Sequence, residues 1–136
     1  MDYVLTVSVP AADEYMRLRQ TARLSPKSAE AAKAGLAGTI FTVCVRYDDE
    51  LVGMGRVVGD GGCFFLIVDV AVHPRHQRRG LGGRIMENLM HQLRRVAPTT
   101  AYVSLIADTN SPAPTLYRKF GFEPTAPKSI GMALRL

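Results

Sequence analysis

The sequence predicts a mixed α/β fold built on one central sheet with both antiparallel and parallel neighbours. Three observations lead there. Two β-branched runs, 40–47 and 51–58, are joined by the short polar loop Asp48-Asp49-Glu50, which reads as a hairpin. The run Phe64 to Val72 carries one charge, Asp69, in nine residues, as suits a strand covered on both faces. A helical pattern then leads into a further strand at 101–107, and a strand–helix–strand unit implies a parallel pair.

The elements follow in order. Residues 3–9 alternate and are β-branched, a first strand. Pro10 with Asp13 and Glu14 suits the first turn of a helix running through Met16 and Leu18. Ser25-Pro26 reads as the start of a second, alanine-rich helix that stops between Gly35 and Gly38. The two hairpin strands come next, and Gly59-Asp60-Gly61-Gly62 turns the chain into the central strand. Pro74 ends that strand because it has no N–H to give. From Leu81 the apolar positions Leu81, Ile85, Met86, Leu89, Met90 and Leu93 mark one helical face. Arg94, Arg95 and Pro98 suit its C-terminal end. Asn110 and Ser111 can cap a short helix carrying Leu116, Tyr117 and Phe120. Residues 122–124 and 130–136 are expected to finish the sheet as a hairpin.

At 136 residues, 47% hydrophobic and 21% charged, the chain reads as a single globular domain, 1–136. No apolar run approaches the roughly 20 residues of a membrane span. Met1-Asp2-Tyr3 lacks the basic start of a signal peptide, so the expected location is the cytoplasm. Cys44 and Cys63 read as buried small hydrophobes rather than a disulfide, and no cluster has metal-ligand spacing. The net charge of +5 raises the question of nucleic acid. Its distribution argues against that partner, because Arg75, Arg78, Arg79 and Arg84 crowd one turn with His73 and His76, without any nucleic-acid-binding motif.

That turn, Gln77-Arg78-Arg79-Gly80-Leu81-Gly82-Gly83, holds three glycines at a helix start. Unpaired N–H groups and the positive end of the helix dipole converge there, an anion site. It is no P-loop, since no Gly-Lys-Ser/Thr exists, and no dinucleotide fingerprint, since position 85 is Ile. The pattern Q/R-x-x-G-x-G/A after a strand ending V-x-V-x-P is matched at every position by residues 70–82. A second segment, Asn110 to Phe122, fits N-x-x-A-x-x-L-Y-x-x-x-G-F. With both motifs in order, the chain resembles the GNAT superfamily of acyl-CoA-dependent N-acetyltransferases.

The resemblance implies a GNAT fold, with a central mixed sheet of six to seven strands, about four helices and two splayed parallel strands, here 64–72 and 101–107. It implies acetyl-CoA as acetyl donor, with no metal. Backbone groups of Val70, Ala71 and Val72 would bond the pantetheine arm. Gln77, Arg78, Arg79, Gly80, Leu81, Gly82 and Gly83 would form the pyrophosphate turn, and Asn110 and Tyr117 would also contact the cofactor. Tyr117 is the candidate general acid toward the departing thiolate, against simple packing at a helix end. Asn110 has capping as its plainer role, and both roles can hold. Asp69 is the candidate base, with a structural bond to a neighbouring element as the equally weighted alternative; a bulge would alter which face it takes. His73 is a weaker base candidate, and family members often deprotonate the amine through water. The acceptor expected is a small-molecule primary amine. Peptide or protein N-terminal or lysine acetylation and a non-catalytic CoA-binding module are the alternatives. The region with Leu24, Ser25, Lys27 and Leu36 shapes acceptor choice in such proteins, or simply packs. A homodimer is common among them, and no single residue decides it here.

Overall fold

The computed structural model describes residues 2–136. Its elements run β1 (Val4–Val7), α1 (Ala12–Thr21), α2 (Ala29–Ala37), β2 (Phe41–Tyr47), β3 (Glu50–Gly59), β4 (Phe64–Val72), α3 (Leu81–Val96), β5 (Tyr102–Leu105) and α4 (Ala113–Arg118). The five strands form one sheet in the order β1-β2-β3-β4-β5. The first four are antiparallel neighbours, and β4 pairs β5 in parallel.

Local chemistry explains each junction. Asp48 and Asp49 both take positive φ, 49° and 64°, which is the backbone of a type I′ hairpin turn. At the next turn one carboxylate oxygen of Asp60 accepts the N–H groups of Gly62, Cys63 and Phe64. The second helix starts later than Ser25-Pro26 predicts. Ser28 is the cap, its hydroxyl accepting the Ala31 N–H, while the carbonyl and hydroxyl of Ser25 are taken by the Arg19 guanidinium. A capping serine needs its oxygen free, and Ser25 has spent it.

Two apolar clusters sandwich the sheet. On one face Val43, Val45, Val57, Phe65 and Ile67 pack against Leu81, Ile85, Met86, Leu89 and Leu93 of α3, with Tyr117 of α4 in the same cluster. On the other face Cys44, Leu51, Met54 and Ala71 meet Tyr15 and Leu18 of α1 and Ala32 and Leu36 of α2. Ile85, Met86 and Leu89 are fully buried, and such a side chain contributes about 1.5–3 kcal/mol each by leaving water. The helix lies close because Gly53 and Gly55 face it. A Cβ on Gly55 would sit 2.7 Å from a Leu89 methyl and 2.8 Å from an Ile85 methyl.

Two further expectations change. The sheet has five strands rather than six or seven, because residues 122–136 form no strand. Pro124 and Pro127 withhold amides, and the Ser129 N–H donates to the Thr125 carbonyl at 3.0 Å, a turn between the two expected strands, neither of which forms. Cys63 is exposed rather than buried, since it sits in the turn before β4. Cys44 is buried in β2, and burial pushes its thiol up to about 11. A thiol reagent at pH 8 is therefore expected to titrate one cysteine, Cys63, in the folded protein and two after denaturation. Rapid native labelling of both would contradict the packing of β2 against α1.

Candidate active site

The site begins with a break in the regularity of β4. Pairing with β3 is regular from Phe65–Gly59 to Val68–Arg56 and resumes at Ala71–Met54, so Asp69 and Val70 together oppose Gly55. Asp69 takes φ 59°, a conformation that Asp tolerates better than most side chains. This bulge switches the strand's faces. Phe65 and Ile67 point toward α3, whereas Asp69 and Ala71 point toward α1 and α2.

The bulge also determines which backbone groups are open. β4 and β5 pair only from Phe64–Tyr102 to Ile67–Leu105. Beyond that point β4 continues to Val72 while β5 ends, so the two parallel strands part where 64–72 and 101–107 were expected to. The His73 N–H donates to the Val52 carbonyl at 2.7 Å. Alternation therefore turns the backbone of Val72, and of Val70, to the open side, and that of Ala71 toward β3. Of Val70, Ala71 and Val72, the first and last thus face the gap beside β5 and Ala71 does not. The Val72 carbonyl accepts the Gln77 side-chain amide at 3.0 Å, which leaves the Val72 N–H on that edge.

Past β4, a short 3-10 turn (Pro74–His76) leads to the glycine turn. Arg78 and Gly80 both have positive φ, 64° and 76°, and Gly80 is the N-cap of α3. The first turn of any helix leaves its N–H groups without intrahelical acceptors, here those of Leu81, Gly82 and Gly83. A Cβ at Gly83 would meet no atom within 4 Å, so the glycine leaves open space at these amides. A Cβ on Gly82 would lie 3.4 Å from a Leu116 methyl, which places α4 directly beside the turn. The exposed Arg78 and Arg84 make no side-chain hydrogen bond or ion pair among the described residues, whereas Arg79 donates to the Tyr3 hydroxyl at 3.0 Å. That hydroxyl also bonds His76 Nδ1 at 2.8 Å, tying the turn to the chain entering β1.

Tyr117 has its ring in the α3-side core, 6.4 Å from the Phe122 ring and edge-on to it. Burial raises its pKa above the usual tyrosine value. Its hydroxyl makes no hydrogen bond to the described residues, so it remains free to donate. Asn110 is exposed, and its side-chain amide makes no such bond either. The N-cap position of α4 is Pro112, without a side-chain cap, and the Ser111 hydroxyl before it accepts the Ala113 N–H at 3.1 Å.

Asp69 is differently placed. One carboxylate oxygen accepts from Arg19, and the other from Arg56 Nε at 2.9 Å and the Tyr15 hydroxyl at 2.7 Å. All three charged side chains are nearly buried, at 5, 8 and 12% exposure. Arg56 further donates to the Gly35 carbonyl and the Thr39 hydroxyl, both at 3.0 Å, and Arg19 to Ser25. The bulge is thus bolted to α1, to the loop after it and to the end of α2. This engagement suits the structural alternative for Asp69 better than proton abstraction. The sequence reading missed both arginines; Arg56 alone in an apolar strand was the signal that could have found one.

Of the residues expected to shape acceptor choice, Leu24 and Lys27 line an open hollow of about 700 Å³ beside α1, while Leu36 is buried and Ser25 is tied to Arg19. Among the described residues no group of three or more His, Cys, Asp or Glu is arranged to hold a metal, and no helix is long and apolar enough to cross a membrane.

A sheet that opens between parallel strands beside a glycine-started helix defines the N-acyltransferase architecture that the two motifs resemble. The family model of the acetyltransferase (GNAT) domain matches residues 38–124, more than half of the chain, and the chain belongs to that family. It is 46% identical to a probable acetyltransferase of unknown function from meticillin-resistant Staphylococcus aureus. That similarity covers 99% of this chain and 100% of the other, with a TM-score of 0.93. The ribosomal-protein-S18-alanine N-acetyltransferase of Escherichia coli shares the fold at 20% identity and a TM-score of 0.73, over 90% of this chain and 80% of its own. An uncharacterised N-acetyltransferase of Porphyra purpurea is 39% identical over 73 residues, 54% of this chain. The match spans about two fifths of the length of the curated relatives, 40% and 41%.

Replacing Asp69 by Ala leaves two nearly buried guanidiniums without their anion, and is expected to cost about 3–5 kcal/mol. Asn, which also tolerates positive φ, is expected to cost less. Urea unfolding of the two variants measures this, and a loss below 1 kcal/mol for Ala would refute the bolting role.

Proposed function

We propose that the protein transfers the acetyl group of acetyl-CoA to a primary amine of a small molecule by direct attack. The observation that carries this reading is the open edge of β4 at Val70 and Val72, lying next to the free amides that start α3. Acetyl-CoA, when bound, supplies a thioester carbonyl that an amine can attack.

The chain's own groups divide the work. The backbone of Val70 and Val72 holds the pantetheine arm as a strand would. The N–H groups of Leu81, Gly82 and Gly83 hold the pyrophosphate, and Gly80 and Gly83 keep side-chain atoms out of the way. Arg78 and Arg84 add positive charge from solvent, Gln77 fixes the end of β4, and Asn110 offers its free amide. The Val72 N–H is the oxyanion donor at the open edge. As the amine nitrogen bonds the carbonyl carbon and the C–S bond breaks, Tyr117 gives its proton to the sulfur, and the amine's surplus proton passes to water. Asp69 takes no proton in this scheme; it holds the edge in place.

Acetyl-CoA is expected to raise the melting temperature, and a panel of amines to release free thiol. No shift with acetyl-CoA would remove the phosphate cradle. A shift without turnover on any small-molecule or peptide amine would favour a non-catalytic CoA-binding module.

Tyr117→Phe is expected to keep acetyl-CoA binding and to lower kcat about 100-fold or more. Because the Tyr117 pKa is raised, the acid form persists through neutral pH, and activity dependent on it falls only above the usual tyrosine value near 10. That alkaline limb is expected to vanish in the Phe variant. Full turnover in Tyr117→Phe would sink the acid assignment.

A further inference from the structure

Arg79 stands in the glycine turn, yet its guanidinium is committed elsewhere. It donates to the Tyr3 hydroxyl at 3.0 Å, and the same hydroxyl bonds His76 Nδ1 at 2.8 Å. A guanidinium has only donors, so the Tyr3 oxygen accepts. Each hydrogen then has its own acceptor when the Tyr3 O–H donates to Nδ1 and the imidazole carries its proton on Nε2. Arg79, Tyr3 and His76 thus form a one-way chain that needs His76 neutral.

Aromatic packing holds the chain in place. Tyr3 precedes β1, with its ring 5.3 Å from that of Tyr47. The His76 ring sits edge-on to Tyr3 at 5.5 Å and tilted to Tyr47 at 5.1 Å, and His73 lies edge-on to it at 5.6 Å. Burial among these rings, then His73, Arg79 and Arg75, disfavour a charge on His76, whereas the exposed Glu50 favours one.

A proton on Nδ1 breaks the chain. Both ring nitrogens then donate, the Tyr3 oxygen faces two cationic donors, and its own hydrogen loses its acceptor. Like charges sharing one oxygen repel. His76 is packed between rings and Arg79 is exposed, so Arg79 is the group that leaves. Beside an anion-binding turn, a released guanidinium finds a better acceptor in phosphate oxygens than in a neutral hydroxyl.

Resting on the acetyl-CoA reading above, we propose that Tyr3 and His76 form a proton-controlled latch on Arg79. It withholds the guanidinium from the coenzyme's phosphates while His76 is neutral and frees it for them when His76 is charged. A bound anion favours the charged ring, so binding takes up a proton and tightens as the pH falls through the His76 pKa.

Titration calorimetry with acetyl-CoA from pH 8 to pH 5, in paired buffers of different ionisation enthalpy, tests the latch. A phosphate monoester such as that of the coenzyme also titrates at about pH 6. Each response is therefore compared with that of His76→Phe, which keeps a ring and cannot take the proton. Relative to that variant, the unaltered protein is expected to gain about fivefold in affinity toward pH 5, the size of one net hydrogen bond, and to take up more protons on binding. Tyr3→Phe keeps the packing ring without the hydroxyl, and is expected to bind about fivefold tighter than the unaltered protein at pH 8. Adding Arg79→Gln to it is expected to abolish that gain. Equal or weaker binding by Tyr3→Phe would mean that the hydroxyl only braces the turn. An unchanged pH response in His76→Phe would mean that its proton plays no part. Either result overturns the latch and leaves the coenzyme reading standing, whereas no binding at any pH overturns both.

Discussion

The constraint on which the site depends is the extra residue that β4 inserts opposite Gly55. In a regular strand the face of Phe65 and Ile67 would include Asp69, driving a carboxylate into the apolar layer under α3, where burial of an unpaired charge costs several kcal/mol. The bulge turns Asp69 to the other face, where Arg19, Arg56 and Tyr15 receive it. The same single residue realigns the backbone so that Val70 and Val72, rather than Ala71, offer their polar groups to the gap beside β5. One register shift thus satisfies a buried charge and opens an edge. The ion cluster then keeps the strained φ of Asp69 from relaxing, because three elements would have to move with it.

Much of this was legible in the sequence wherever a local pattern had one physical solution. The α3 face from Leu81 to Leu93 was plain, because six apolar residues at helical spacing fit no other element. The glycine turn was equally plain, since Gly80 needs positive φ and the two motifs stand in fixed order. What the sequence hid were pairings at long range. Nothing local says that Arg19 and Arg56, 37 residues apart, share one carboxylate. Nor does a strand's alternation reveal a bulge within it, although Asp69 at a core-facing position was a warning. The shift of the second helix's start from Ser25 to Ser28 has a nearer origin, since Arg19 at the end of α1 takes the carbonyl and hydroxyl of Ser25.

The basic charge gains a meaning from its placement. Of the arginines in the 75–84 stretch, Arg79 is tethered to Tyr3, which stacks near Tyr47 and His76 at centroid distances of 5.3 and 5.5 Å. That aromatic group anchors the turn on one side, and α4 abuts it on the other. Burial within the cluster and the positive charges around it hold the His76 pKa below its usual value, so the ring is neutral at pH 7 and can bond the Tyr3 hydroxyl in either tautomer. The amides that start α3 are thus held on a turn packed on both flanks.

The paired glycines of β3 carry a consequence for how the site tolerates change. Gly53 and Gly55 set the depth at which α3 rests on the sheet, and that depth fixes the height of its leading amides above the end of β4. A single methyl group added at position 55 would meet Leu89 and Ile85 at under 3 Å, act as a wedge and tilt the helix outward. The position of the glycine turn relative to the open end of β4 is therefore controlled from beneath the floor, by the absence of two side chains.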